Sequence, residues 1–107
     1  MDYTKSVMSL LYKFQAEGVK IVEVFDGENW EKVTGDNNLQ IRKNATEIIT
    51  SVDTCCVRLK YKGSGASLFI VLGNEESEIL ADYQVDPSSE LGKMIERIEE
   101  EFCEQWE

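Results

Sequence analysis

Cys55-Cys56-Val57-Arg58-Leu59-Lys60-Tyr61-Lys62, followed by Gly63-Ser64-Gly65 and then Ser67-Leu68-Phe69-Ile70-Val71-Leu72, is the stretch that decides the fold. In its first half the residues divide by parity. Cys55, Val57, Leu59 and Tyr61 fall on one side, and Cys56, Arg58, Lys60 and Lys62 on the other. A strand places successive side chains on opposite faces, so this is a half-buried strand, apolar inward and basic outward. The glycine-serine-glycine run turns the chain into an apolar partner strand over 67–72. Gly73 to Glu76 turns it again into a third strand over 78–84, with Ile79, Leu80, Ala81 and Tyr83. Three strands joined by short turns predict an antiparallel meander.

Working outward, Asp86-Pro87 reads as a helix cap with proline at the first helical position. Beyond it Leu91, Met94, Ile95, Ile98, Phe102 and Trp106 fill an arc of about 120° when successive residues are turned by about 100°. This predicts an amphipathic helix with Glu96, Glu100, Glu104 and Glu107 on its polar side. At the other end Tyr3, Val7, Leu10, Leu11 and Phe14 share one helical face, and Gly18 supplies a stop, which places a helix at about residues 2–17. Val19 to Phe25, the turn dipeptide Asp26-Gly27, and Asn29 to Val33 read as a hairpin. After a polar loop over 34–38, Leu39 to Lys43 alternates as a short strand; in Asn44 to Asp53, Ala45, Ile48, Ile49 and Val52 have helical spacing while Ile48, Thr50 and Val52 also alternate, and of helix and strand a short helix capped by Asn44 is the favoured reading. The expected architecture is therefore an α+β fold: an antiparallel sheet of about five or six strands, covered by N-terminal and C-terminal amphipathic helices.

A chain of 107 residues with 42% apolar residues and one proline is expected to form one domain, residues 1–107, with one core. No apolar run approaches the roughly 20 residues that span a bilayer, and the first 13 residues lack the pattern of a secretory signal. Adjacent Cys55 and Cys56, with Cys103 far away, do not make a disulfide framework and read as reduced thiols. A cytoplasmic location follows as the expectation.

The net charge of −10 is unevenly placed. Residues 1–73 hold nine basic and nine acidic residues, whereas residues 74–107 hold two basic residues, Lys93 and Arg97, against twelve acids. Nucleic acid and anionic membrane both demand a basic footprint, so neither is expected as a direct partner.

Histidine is absent, which removes the commonest general base and a principal zinc ligand. The cysteine spacing matches no zinc pattern, and the glycine-rich run at 63–67 leads into a strand rather than the helix a phosphate loop must open. Cys56 beside Arg58 and Lys60 is the better candidate for a reactive thiol, and Asp82 for a buried acid, yet no base or second acid is placed beside either. No catalytic residue, metal site or cofactor is predicted.

Glu99, Glu100, Glu101, Glu104 and Glu107 crowd a helix end whose macrodipole disfavours anions by tenths of a kcal/mol each. Local stability therefore does not account for them. A solubilising face is the plain explanation; the functional one is a surface that meets a basic partner, since electrostatic complementarity speeds and orients association. The predicted partner-binding residues are Glu96, Glu100, Glu104 and Glu107, with Trp30 as an aromatic anchor. The predicted function is a non-enzymatic binding module acting on a protein partner, with homodimerisation as one form of partnership. The alternative is a small-molecule-binding domain with its pocket between sheet and helices.

The run Leu68-Phe69-Ile70-Val71-Leu72-Gly73-Asn74-Glu75, followed by Ala81-Asp82-Tyr83 in a small acidic chain, resembles orphan proteins of bacterial mobile gene cassettes and phages. The resemblance implies accessory or defence-related binding and brings no functional residues with it.

Overall fold

The computed structural model describes residues 2–107. The chain opens with helix α1, Thr4–Ala16, whose apolar face Val7, Leu10, Leu11 and Phe14 is fully buried, as its spacing predicts. Tyr3 stands just before it and fastens this end of the chain: its hydroxyl donates to the Asn74 carbonyl at 2.8 Å and accepts from the Gly73 amide at 2.9 Å. Strands β1, Lys20–Phe25, and β2, Trp30–Lys32, form the expected hairpin. Its turn is held by the Asp26 carboxylate, which accepts from the amides of Glu28 and Asn29, both at 2.9 Å.

The next segment departs from the sequence reading. Leu39 to Lys43 is not a strand, and Asn44 is not a cap; one continuous helix, α2, runs Asn38–Thr50. Asn37 caps it, its side chain accepting from the Gln40 amide at 2.9 Å. With the start moved back, Ile41, Ala45, Ile48 and Ile49 share the inward helical side. Leu39, which suggested alternation, is largely exposed. The helix docks on α1 through Gln15, a buried amide that donates to the Asn38 carbonyl at 3.0 Å and accepts from Arg42 at 2.7 Å.

Strands β3, Thr54–Tyr61, and β4, Ser64–Val71, pair antiparallel along their whole length. The turn is tighter than the glycine-serine-glycine run suggests: Lys62 and Gly63 alone make it, with φ of 46° and 84°, the two positive angles of a primed hairpin turn. Ser64 and Gly65 belong to β4. After a 3-10 turn at Glu76–Glu78 comes β5, Leu80–Gln84, two residues later than expected. Helix α3, Glu90–Trp106, is capped by Ser89, whose hydroxyl accepts from the Gly92 amide at 2.9 Å. Asp86 and Pro87 form the turn before it rather than the cap, because the Asp86 carboxylate is taken by the amide and hydroxyl of Ser88.

The five strands make one antiparallel sheet in the order β2-β1-β3-β4-β5. With 39–43 helical there is no sixth. All three helices contribute to one buried cluster with the inward residues of the strands, among them Val24, Val57, Leu59, Leu68 and Ile70. The fold is thus two layers, helices on one face of the sheet and the other face open. No helix among the described residues is long and apolar enough to cross a membrane.

Candidate functional site

The inward stripe of α3, from Leu91 to Phe102, is buried, which fixes the opposite side toward solvent. Glu96, Glu100, Glu104 and Glu107 are exposed there, so the structure brings these four predicted residues onto one helix surface. Arg97 does little to offset them. Arg97 spends its guanidinium on Glu17 at 2.6 Å and Glu101 at 3.3 Å, and Glu90 stands 3.9 Å from Lys62. Among the described residues Glu96, Glu99, Glu100, Glu104 and Glu107 make no ion pair.

Asp82, which the sequence reading did not group with the acids of this helix, joins them in space through Glu99. Glu99 is half-buried where α3 passes the β5 edge, and burial, then Glu100, Asp82 and Glu96, hold its carboxyl above the usual glutamate range. The Tyr83 phenol is pushed up by burial and then by Glu99, Glu96, Asp82 and Glu100. A surface depression of about 460 Å³ along this seam is lined in part by Glu78, Glu99, Glu100 and Cys103. The surface is therefore an acidic strip running from β5 onto α3, and its members feel one another. Sequence reading could place the glutamates on a helix but not Asp82 beside them, because that contact depends on which strand ends at the sheet edge.

The strain on Glu99 has a consequence for pH. Its folded-state pKa is raised, so between the unfolded and folded values the native chain binds more protons, and stability falls as pH rises through the window just above the ordinary value of 4.5. That cost persists at neutral pH. Glu99→Gln is expected to melt higher than the parent at pH 7, with the advantage shrinking as pH falls to about 4.5. Calorimetry at both pH values checks it; an advantage that does not change with pH counts against charge crowding at this position.

Trp30 is not part of this strip. It lies on edge strand β2, on the open face of the sheet and in the opposite layer from α3. It is 39% exposed, its ring 5.3 Å from that of Phe25, and the Arg58 guanidinium sits 4.1 Å from the ring centre while pairing with Glu23. Trp106, by contrast, packs near Phe102 and donates to the Ser9 hydroxyl at 3.3 Å, a core-rim position.

The thiols are poorly set for nucleophilic work. Burial pushes Cys55 up to about 12, and Cys56 is also raised by burial, the Ser67 hydrogen bond and Arg58 only partly opposing it. Cys103 is raised by desolvation and by the surrounding glutamates, Glu107 first. A thiolate is the reactive form, and each environment disfavours it. Between sheet and helices the space is taken up by Phe14, Phe102, Leu10, Leu68 and Ile95, each no more than 1% exposed. A depression of about 760 Å³ opens elsewhere, at the end of the molecule where Tyr3, Asp53, Asn74 and Glu75 meet solvent. No group of three or more histidine, cysteine, aspartate or glutamate residues suited to a metal ion occurs among the described residues.

Comparison with protein-family models, curated proteins and solved structures gives no match to the chain.

Proposed function

We propose that the chain is a non-enzymatic binding module that engages a basic protein partner through the acidic strip of α3 and β5. The observation that carries this reading is that, among the described residues, Glu96, Glu99, Glu100 and Glu104 make no ion pair beside Asp82, on a helix whose Arg97 is already engaged by Glu17 and Glu101. A face kept acidic at a helix end, where the macrodipole opposes it, costs stability that a cationic partner returns on binding. The strip needs no cofactor. Three free thiols suit a reducing compartment, and we place the protein in the cytoplasm.

The test is affinity capture from nuclease-treated lysate of cells that express the protein, with the parent and a variant carrying Glu96→Lys, Glu100→Lys, Glu104→Lys and Glu107→Lys as baits. A basic protein retained by the parent, released by raised salt and absent from the variant is the expected result. The same protein held by both baits, or none held by either, overturns the reading.

A further inference from the structure

The sheet has two edges, and they differ in charge. β2 ends it on one side with Trp30, Glu31 and Lys32, residues of both signs. β5 ends it on the other side and pairs only with β4. The row that register draws across the outer face, Trp30, Phe25, Cys56 and Phe69, stops there at Asp82.

The pairing fixes which backbone groups of β5 are free. The Val71 amide donates to the Ile79 carbonyl at 3.0 Å, so at this residue β4 faces the β5 side. Alternation along β4 turns Phe69 and Ser67 the same way, onto their partners Asp82 and Gln84. Tyr83, between those two, therefore turns its amide and carbonyl to the open edge. The carboxylate of Asp82, rather than another strand, accepts from that amide at 2.8 Å.

The acids beside this edge select what can pair with it. Glu96, Glu99 and Glu100 on α3 are close enough to raise the Tyr83 phenol, and none of them makes an ion pair among the described residues. Leu80, Ala81, Glu99 and Glu100 line the seam depression between strand and helix. A second copy pairing through its own β5 would bring Asp82 and these glutamates against their like. The charge of Asp82 and the register shift at Ala81 are the devices that keep an edge from joining its own kind. A strand carrying cations meets no such repulsion.

We infer that the β5 edge receives an extended basic segment of the partner as a sixth strand. Its lysines or arginines stand at alternate positions on the helix side, facing Glu96, Glu99 and Glu100, and one of its carbonyls accepts from the Tyr83 amide in place of the Asp82 carboxylate. Every second side chain of a strand lies on the same side, so such spacing matches a row of acids along one flank. Main-chain bonds supply affinity and the alternate side chains supply selection. The inference rests on the acidic strip being the surface for a basic protein, and adds the conformation in which that protein binds.

The probe is a blocked heptapeptide of alternating threonine and lysine, titrated at low salt into the isotope-labelled full chain. A peptide of the same composition with its lysines in one block is the comparison. The alternating peptide is expected to bind severalfold more tightly, to show cross-strand nuclear Overhauser effects to Tyr83, and to slow exchange of the Tyr83 amide by about tenfold or more. Glu96→Gln combined with Glu100→Gln is expected to weaken it severalfold. Tyr83→Pro removes the outward amide at a position where an edge strand tolerates proline, and is expected to lose the peptide while circular dichroism shows the fold kept. The cross-strand effects in the parent read the same bond if that variant does not fold. Equal binding of the two peptides with no protection at Tyr83 overturns strand addition and leaves the basic-partner reading standing. Absence of binding by either peptide at millimolar concentration also overturns it, and the capture experiment then decides the basic-partner reading on its own.

Discussion

Phe102→Ala is expected to remove about 3–5 kcal/mol from the free energy of unfolding, the range for deleting a fully buried aromatic ring. Phe102 is 1% exposed and closes the apolar stripe of α3, with the Trp106 ring 6.1 Å away. Its ring is what holds the last turns of α3 against the α1 side of the core, since Trp106 itself is only partly buried and bound by one hydrogen bond to Ser9. Truncation leaves a cavity in a core whose other members, Leu11, Ile95 and Ile98 among them, are already buried and fill it only in part. For a domain whose total stability is about 5–15 kcal/mol, the loss is a large fraction of the whole. Denaturant titration followed by circular dichroism measures it, and Phe102→Leu, which keeps most of the volume, is expected to lose less than half as much. A loss below about 1 kcal/mol for the alanine variant means that the end of α3 is held by something other than this ring. The consequence reaches the functional surface, because Glu100 and Glu104 are carried on the same turns and keep their spacing from β5 only while Phe102 is seated.

How far such packing is legible in the sequence differs along the chain. Residues 55–62 could be read with certainty of face because four apolar and four non-core positions alternate without interruption, and α3 because its stripe holds over four turns. Residues 39–53 could not. Two apolar residues, Leu39 and Ile41, imitate alternation, while the true start, the Asn37 cap, is hidden in a polar run that also reads as a loop. The acidic helix face was legible from spacing alone. Its extension to Asp82, and the row from Trp30 to Phe69, were not, because each depends on strand order and on register between partners such as Phe25 and Cys56 that lie far apart in sequence. Trp30 lies with Phe25 and Arg58, on the other layer from the glutamates.

Gly92 offers the second large effect, and here the sequence alone points the wrong way. A glycine in the first turns of a helix reads as a weakness, and Gly92→Ala gains about 1 kcal/mol of helix propensity in isolation. In the structure a β-carbon at this position would lie 2.3 Å from the Asp86 carbonyl oxygen and 3.1 Å from the Pro87 α-carbon. Both are backbone atoms in the turn that leads into α3, so no side-chain rotation relieves the contact. The turn itself is tied down by the Asp86 carboxylate on Ser88 and by the Ser89 hydroxyl, which donates to the Asp86 carbonyl at 2.6 Å while accepting from the Gly92 amide. Relief therefore means breaking the cap or moving the start of α3 off the turn. Overpacking of this kind costs about 1–3 kcal/mol and here exceeds the propensity gain, because the obstacle is backbone on both sides. The expected outcome is a net loss of about 1–2 kcal/mol, seen as a fall in melting temperature of about 4–8 °C per kcal/mol for a domain near this size. Gly65→Ala is the control, since its β-carbon would sit 3.7 Å from the Leu59 carbonyl oxygen, an ordinary contact, and it is expected to shift the melting temperature far less. If Gly92→Ala melts at or above the parent, the turn yields freely and the close approach of α3 to Asp86 is not what sets the position of the acidic helix.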